Sequence, residues 1–517
     1  MLGVTTKSLT LLKKNSKPRH ALKWPGILKP REVVSSMDLL RRLEKRGHSP
    51  AGARKILERD FADFGVWRSD QLRLATGARL YASKLFYGDA QFLKAIRPIL
   101  ERQRAGVARV LDAIELCEAL DLSAITRLTA VRLDPTGSGK ALRRELTAIE
   151  EAGLGKLVVN QAGWEYLVRT KHAGSPEGEK LSLQLMAQRE AERQWLSLLL
   201  KQLRRQNLIE WNTPVLYDHP FNRQLFSGYA FSKLRPLLRF KARKAVSCPV
   251  VFEILTRNAE VFDVTAFLER MLRAGANPQA KLRMLGVIGA PSFSREAFNL
   301  ARKNGLMAVN FRELFGQAAL DLMVAAEDLF VTFSAAPDSP PSASSAAAVA
   351  EKFAASITAL RNHPMVTDLS GLAFEAFACA ALSGKGFEEV RAGLKVPFSH
   401  EGVATYREAD VTGHSDDTHC IIECKALNGK NEVDREDVRK FFTETVPAYL
   451  DHVGKSNVDS CRAEIWTTGK VSEETRSYLT DLPLNKRVVR AIHTRDKIPF
   501  PQKLKPLARM LDVLATL

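Results

Sequence analysis

The chain has 517 residues, of which 45% are hydrophobic, so it is too long for one hydrophobic core and predicts three or four domains. Its 77 lysine and arginine residues against 58 acidic residues give a net charge of +19, which favours a polyanionic partner. Nucleic acid is the commonest such partner, and a membrane surface is the alternative. Six scattered cysteines, no run of about 20 apolar residues and no secretory signal exclude a disulfide-stapled secreted domain and a membrane span, and predict a cytoplasmic chain.

Residues 1–32 are rich in lysine and arginine and contain Pro18, Pro25 and Pro30. This composition predicts a loosely ordered basic arm that lies along phosphate groups. An unstructured terminus without a role fits the same composition.

Residues 33–90 read as a helix, a tight turn, a basic helix and a strand hairpin. The second helix begins at Ser49–Pro50, a capping residue followed by a proline in the first turn, and carries Arg54 and Lys55. Strand-like segments follow near Trp67 and Tyr81. This order resembles a winged helix-turn-helix module, in which Arg54 and Lys55 would contact DNA.

Residues 91–172 repeat that pattern. Leu142 and Leu146 lie on one face of a predicted helix, Arg143 and Arg144 lie on the other, and Gly153 ends the helix before two short strands. We expect a second winged helix with Arg143 and Arg144 as DNA contacts, although such modules also bind proteins.

Residues 173–333 begin with a long amphipathic helix over 181–206, and residues 334–350, rich in Ser, Ala and Pro, predict a linker ahead of a final domain. That final domain is expected over residues 351–500, followed by a C-terminal helix over 501–517. The expected fold class is therefore multidomain and mixed, with mostly α winged-helix modules before α/β domains.

A strand hairpin over residues 406–427 concentrates charged groups. Residues two apart lie on the same face of a strand. Glu408 and Asp410 therefore share a face of one strand, and Glu423 and Lys425 share a face of the next. Charges beside an apolar strand centre are costly unless they are paired or bound to a metal. A salt-bridged strand edge is the alternative to a catalytic site.

Upstream of the hairpin, a helix over 368–382 carries Glu375 as its single interior charge, and a strand over 389–396 follows. The order of helix with Glu375, strand, strand with Asp410, strand with Glu423-Cys424-Lys425 and helix resembles the PD-(D/E)xK superfamily of restriction-endonuclease-like nucleases, in its Mrr-like branch. Ala409 stands where the proline of the family name would be. The resemblance implies a central mixed sheet flanked by helices.

The resemblance also implies a catalytic set of Glu375, Asp410, Glu423 and Lys425. The three carboxylates would bind Mg²⁺ or Mn²⁺, and Lys425 would position the attacking water. Second-choice participants are Glu408 and His419. Candidate phosphate contacts on the following helix, which also fit a solvated helix face, are Arg435, Arg439 and Lys440.

The implied function is Mg²⁺-dependent cleavage of double-stranded DNA, in prokaryotic defence against foreign DNA by family analogy. A homodimer would supply two active sites for cutting both strands. Two alternatives stay open: a DNA-binding regulator or scaffold without turnover, and a nuclease that cleaves RNA.

Residues 205–320 resemble a second, degenerate copy of the same fold. The segment Pro249–Leu255 matches the catalytic strand, with Glu253 at the position of Glu423 and Leu255 at that of Lys425. Such a copy would lack catalysis and could still bind DNA through Arg239 and Arg243. An unrelated α/β domain is the alternative.

Overall fold

The structure is a computed structural model of the 517-residue chain. It describes residues 27–59, 65–88, 90–134, 139–160, 163–211, 217–232, 239–241, 244–277, 280–281, 284–333, 343–400, 403–415, 418–454, 460–482, 487–499 and 508–516. Most of the predicted basic arm, Arg243 and residues 334–342 of the predicted linker lie outside these ranges. The described chain forms two compact units, the first ending at Arg104 and including Glu151–Gly153, the second containing the rest.

The described residues of the first unit up to Arg104 form a small antiparallel sheet and three helices. Its elements are β1 (Val33–Ser35), α1 (Ser36–Glu44), α2 (Pro50–Arg59), β2 (Val66–Arg68), β3 (Leu80–Ser83) and α3 (Ala90–Gln103). The sheet order is β1-β3-β2. Ser35 caps α1 by accepting a hydrogen bond from the backbone N–H of Asp38, and Ser49 accepts one from Gly52 at the start of α2.

The second unit begins with a module of the same sheet order. Its elements are α4 (Ala105–Cys117), β4 (Ala119–Asp121), α5 (Leu122–Thr129), α6 (Lys140–Glu151), β5 (Lys156–Val159) and β6 (Glu165–Val168), with sheet order β4-β6-β5. The carboxylate of Asp121 caps α5 by accepting a hydrogen bond from Ala124. The backbone after α6 turns at Gly153, whose φ of 72° is easily reached only by glycine.

A long helix and a mixed α/β segment follow. The elements are α7 (Pro176–Arg205), β7 (Pro220–Phe221), β8 (Gln224–Leu225), β9 (Gly228–Ser232), β10 (Arg239–Lys241), β11 (Lys244–Val246), β12 (Cys248–Ile254), α8 (Val261–Gly275), β13 (Ala276–Asn277), β14 (Ala280–Lys281), β15 (Leu285–Ala290), α9 (Arg295–Lys303), β16 (Met307–Asn310) and α10 (Phe311–Phe333). The main sheet has the order β16-β15-β12-β9, in which only the β9–β12 pair is antiparallel.

The next helix, α11 (Ala343–Ala359), corrects the predicted linker over residues 334–350. Ala346, Ala350 and Phe353 on this helix are buried in the core shared by α7, α10 and α12. Alanine has the highest helix propensity, so the Ala-rich segment extends the helix back to residue 343 once this face is covered.

The last part of the chain is built on a five-stranded mixed sheet. Its elements are α12 (Val366–Gly384), β17 (Glu388–His400), β18 (Val403–Ser415), β19 (Thr418–Lys425), α13 (Arg435–Lys440), α14 (Val446–Val453), β20 (Ser460–Thr467), α15 (Glu473–Asp481), β21 (Val488–Thr494) and α16 (Ala508–Leu514). The order is β17-β18-β19-β20-β21, antiparallel up to β19 and parallel from β19 to β21. The predicted C-terminal helix therefore lies within 508–514.

Helices cover both faces of this sheet. Cys420 and Ile422 of β19 pack with α12, whereas Ile421 packs with Val438 and Phe441 on the opposite face. The alternation follows from the two-residue period of a strand. Among the described residues, α12 is also long and apolar enough to span a membrane, but 67% of its most apolar window is buried inside the protein.

Candidate active site

Two acidic residues face each other where β18 and β19 pair. The antiparallel register places Val411 opposite Ile422, so Asp410 and Glu423 are the next cross-strand neighbours. The Asp410 carboxylate accepts a hydrogen bond from the backbone N–H of Cys424 at 2.8 Å, which orients it toward the end of β19. The structure therefore brings together the two strand acids that the sequence singled out.

Lys425 lies on the same strand and contacts two acids. Its Nζ is 3.0 Å from Oε1 of Glu423 and 3.2 Å from Oδ2 of Asp437 on α13. Burial lowers the pKa of Lys425, but these two carboxylates outweigh it and raise the pKa overall, so the ammonium is charged at neutral pH. The side chain remains 22% exposed, which leaves the charge within reach of a ligand.

Glu375 lies on α12, which packs beneath the strands of the site. Burial raises the pKa of Glu375 well above its usual range, and the nearby charge of Asp410 raises it further. Burial also raises the pKa of Asp410, with Glu423 adding to the effect and the Cys424 N–H opposing it. The three carboxylates thus repel one another in a desolvated pocket, which a cation would relieve. Among the described residues, however, no three His, Cys, Asp or Glu side chains converge closely enough to bind a metal ion directly.

The two second-choice participants have different surroundings. Glu408 is 50% exposed, lies 3.9 Å from Lys395, and contributes to the raised pKa values of Glu375 and Asp410. His419 bonds the Tyr449 hydroxyl at 2.9 Å and stacks on His414, four residues or about 13 Å along β19 from Glu423. Glu408 therefore borders the site, and His419 does not.

The candidate phosphate contacts on α13 are engaged with acids. Arg439 pairs with Glu436 and Glu444, Lys440 lies 3.6 Å from Glu436, and Arg435 pairs with Glu474. These contacts fit the solvated helix face that was the alternative to a phosphate-binding role.

The candidate DNA contacts in the N-terminal modules are on the surface. Arg54 and Lys55 on α2 are exposed, as is Arg144 on α6. Arg143 is 56% exposed and pairs with Glu165 at 2.7 Å. Arg239 belongs to β10, where only the backbone is described.

Four residues beside the site were not predicted. Asp437 contacts Lys425, and Asp368 on α12 pairs with Lys201 and Arg205 from α7. The acidic first turn after the cap at Asp434 was readable from the sequence. The direction in which Asp437 points depends on how α13 packs on the sheet.

The sheet β9-β12-β15-β16 has the same order and strand directions as β18-β19-β20-β21. In its register Gly228 is opposite Phe252, so Ser227 faces Glu253 as Asp410 faces Glu423. The backbone N–H of Ile254 donates to Ser227 Oγ at 2.9 Å, which reproduces the bond from Cys424 to Asp410. Ser227 thus occupies the position that corresponds to Asp410, and Leu255 the position that corresponds to Lys425.

Arginines surround this second acid. Arg270 contacts Glu253 at 3.0 Å, and Arg127 from α5 donates to Ser227 at 2.6 Å and to Glu192 at 2.9 Å. Arg127 is only 4% exposed. Burial raises the pKa of Glu192 to about 7 against the opposing charge of Arg127. The guanidinium of Arg127 therefore lies beside Ser227 and 4.0 Å from Glu253, at the position that corresponds to the acid pair of the other sheet.

No protein-family model and no curated protein matches the chain. Two solved structures resemble part of it. A repair endonuclease from Pyrococcus abyssi is 16% identical over 28% of this chain and 50% of that chain, with a TM-score of 0.18. An EndoMS complex with dsDNA is 17% identical over 21% of this chain and 41% of that chain, with a TM-score of 0.15. The chain thus matches half or less of either structure, and similarity at this level carries no functional assignment.

Proposed function

We propose that residues 351–500 form a Mg²⁺-dependent endonuclease domain that hydrolyses phosphodiester bonds in DNA. One observation carries the proposal: Asp410 and Glu423 face each other across the β18–β19 ladder, with the ammonium of Lys425 3.0 Å from Glu423. Buried carboxylates that repel one another beside a charged lysine are unfavourable for stability alone. They suit a site that binds a cation and an anionic substrate.

The donor set fits a hard divalent cation in its chemistry, since Mg²⁺ prefers carboxylate oxygens and retains several waters. Asp410 and Glu423 would bind the ion directly, and Glu375 would bind it through a water, because the three side chains do not converge as they stand. When bound, the ion would lower the pKa of an attacking water and offset charge on the phosphate.

The chain's own residues have separate tasks in this proposal. Lys425 supplies a fixed positive charge for the developing negative charge on phosphate and orients the nucleophilic water. The bond from the Cys424 N–H keeps Asp410 aimed at the strand end. Asp437 holds the Lys425 side chain from the helix side.

We also assign the two N-terminal modules to DNA engagement as winged helices. Both combine a helix pair with a three-stranded antiparallel sheet in which the first strand pairs with the third. Their exposed cations Arg54, Lys55 and Arg144 support this role, as does the net charge of +19.

The second α/β segment is, in the same proposal, a degenerate nuclease-like domain without catalysis. Its sheet supports this, because Ser227, Glu253 and Leu255 occupy the places of Asp410, Glu423 and Lys425. The guanidinium of Arg127 beside Glu192 and Ser227 supplies an internal positive charge in place of a bound ion. One chain would then contain one active site.

The test uses the purified full-length chain, a supercoiled plasmid and a matched RNA, each with Mg²⁺ or with EDTA. We expect Mg²⁺-dependent nicking of the plasmid that Asp410→Asn and Lys425→Met abolish. Lys430→Met, at an exposed position five residues from Lys425, should cleave like wild type. Metal-independent DNA binding without nicking would instead support a DNA-binding regulator or scaffold without turnover. Cleavage confined to RNA would mean that the domain is a ribonuclease.

A further inference from the structure

The C-terminal turn of α7 lies beside the helix that carries Glu375. Nζ of Lys201 is 3.6 Å from Oδ1 of Asp368, and Nη2 of Arg205 is 2.8 Å from Oδ2 of the same residue. Asp368 lies on α12 seven residues before Glu375, which puts both side chains on one helix face. Cations from a helix about 170 residues upstream therefore border the catalytic acids.

The spacing along α12 places these cations within range of the site. Seven residues of an α-helix rise about 10 Å, so Lys201 and Arg205, which contact Asp368, lie about two turns from Glu375 along the same helix. Arg204, on the same turn of α7, is partly buried, and burial lowers its pKa while the charge of Glu408 opposes that effect. The surroundings of Glu375 thus include positive charge from α7.

We propose that Lys201 and Arg205 form a phosphate-binding ridge that holds the substrate strand next to the phosphate being cut. This rests on the proposed nuclease function. Glu375, Glu408, Asp410 and Glu423 give the site an excess of negative charge that repels a nucleic-acid backbone. Cations at its edge overcome that repulsion, and Lys425 alone is already engaged by two carboxylates.

The two side chains remain accessible for this task. Lys201 is 46% exposed and Arg205 is 51% exposed, whereas their partner Asp368 is only 15% exposed. One carboxylate is shared by two cations, so half of the positive charge is left uncompensated by this contact. The same residues would, on a purely structural role, only pin α7 to α12.

The first test is the salt dependence of DNA binding by the full-length chain. Affinity for a fluorescent duplex is measured in EDTA, so that cleavage does not interfere, across a range of NaCl concentrations. The association constant falls as salt rises, so the slope of its logarithm against log[salt] is negative. Lys201→Gln with Arg205→Gln should make this slope shallower by about 2, since each lost phosphate contact removes about 0.9 from its magnitude. Lys180→Gln, an exposed lysine near the other end of α7, is the control and should keep the wild-type slope.

The second test changes the shared acid. Asp368→Asn releases both cations from their competitor, so a phosphate-binding ridge predicts tighter DNA binding than in wild type. A structural ion pair predicts the reverse, weaker binding together with a lower melting temperature. In cleavage assays with Mg²⁺, the Lys201/Arg205 double variant should raise KM about tenfold and change kcat much less.

An unchanged salt slope in the double variant, or weaker binding by Asp368→Asn, would overturn the ridge. These outcomes are separate from the nuclease assignment. A wild-type chain that never cuts DNA removes the proposed function, while the salt slopes still decide whether α7 contacts phosphates.

Discussion

Lys425 and Asp437 are joined by an ion pair of 3.2 Å that links the end of β19 to α13. Together with the 3.0 Å contact to Glu423, the pair holds the ammonium between a strand acid and a helix acid. Lysine side chains are long and flexible. A second carboxylate restricts the Lys425 side chain to fewer conformations and so holds the ammonium in place before the reaction. Asp437 is therefore a positioning residue for Lys425.

Replacing Asp437 by Asn should lower kcat for plasmid nicking about tenfold and leave DNA affinity in EDTA nearly unchanged, because orientation is lost and charge is kept on Lys425. Single-turnover cleavage measures the effect. Glu436→Gln, at the exposed neighbouring position, serves as the matched control and should cut normally. Equal rates for wild type and Asp437→Asn would show that Lys425 needs no second anchor.

The two equivalent glutamates offer a paired experiment. Glu423→Gln should reduce cleavage at least about a hundredfold, because it removes a carboxylate that we propose to bind the cation. Glu253→Gln should leave the rate per folded molecule within a factor of two, because Ser227 and Leu255 provide neither the acid nor the lysine there. The fraction of folded protein is fixed by circular dichroism. A large loss in Glu253→Gln would mean that the second sheet takes part in catalysis.

Arg127 should be more important for stability than an exposed arginine with a similar ion pair. Arg127→Ala removes the guanidinium that pairs with the buried acid Glu192 and lies 4.0 Å from Glu253, which keeps Arg270, and should cost about 3–5 kcal/mol of unfolding free energy. Arg143→Ala removes an exposed pair with Glu165 and should cost less than about 1 kcal/mol. Urea denaturation of both variants makes the comparison. Similar costs would contradict a buried charge network around Glu253.

The carboxyl group of Glu327, which lies on α10, should make the stability of the protein depend on pH. Burial raises the pKa of Glu327 from 4.5 to about 8, with Asp328 adding to the effect. The folded chain therefore retains a proton that the unfolded chain releases, and this contribution to stability, full below pH 4.5, is lost as the pH rises toward 8. Glu327→Gln should match wild type near pH 5 and exceed it by on the order of 3 kcal/mol near pH 8.

Thermal or urea unfolding at several pH values measures that difference. Asp321→Asn changes an exposed acid on the same helix, away from Glu327, and should alter the stability little between pH 5 and 8 relative to wild type. A constant difference between Glu327→Gln and wild type from pH 5 to 8 would mean that Glu327 titrates normally.

The DNA-binding role of the two N-terminal modules can be tested through their exposed cations. Arg54→Gln with Lys55→Gln should weaken duplex binding uniformly across sequences and lower the salt slope by about 2, as expected for two lost phosphate contacts. Arg144→Gln should lower the slope by about 1, and Arg143→Gln by less, because Glu165 already neutralises Arg143. Fluorescence anisotropy with several unrelated duplexes provides the measurement. Unchanged slopes would favour a protein-binding role for these modules.

The grouping of the candidate catalytic residues was predictable from the sequence. Alternation with a period of two puts Glu423 and Lys425 on one strand face, and a short hairpin brings Asp410 opposite Glu423. The cap at Ser49 was predicted for the same reason, since an N-cap depends on residues within one turn. These relationships involve neighbours in the chain, whose geometry is set by backbone stereochemistry.

The tertiary structure alone decided which distant groups meet. Arg127 reaches Ser227 across 100 residues, and Arg205 reaches Asp368 across 163 residues. Residues 343–350 became helix because a core from other parts of the chain covers them. Such contacts depend on how helices pack over sheets, which no short-range period encodes, and so the residues surrounding the acids became visible only in the folded chain.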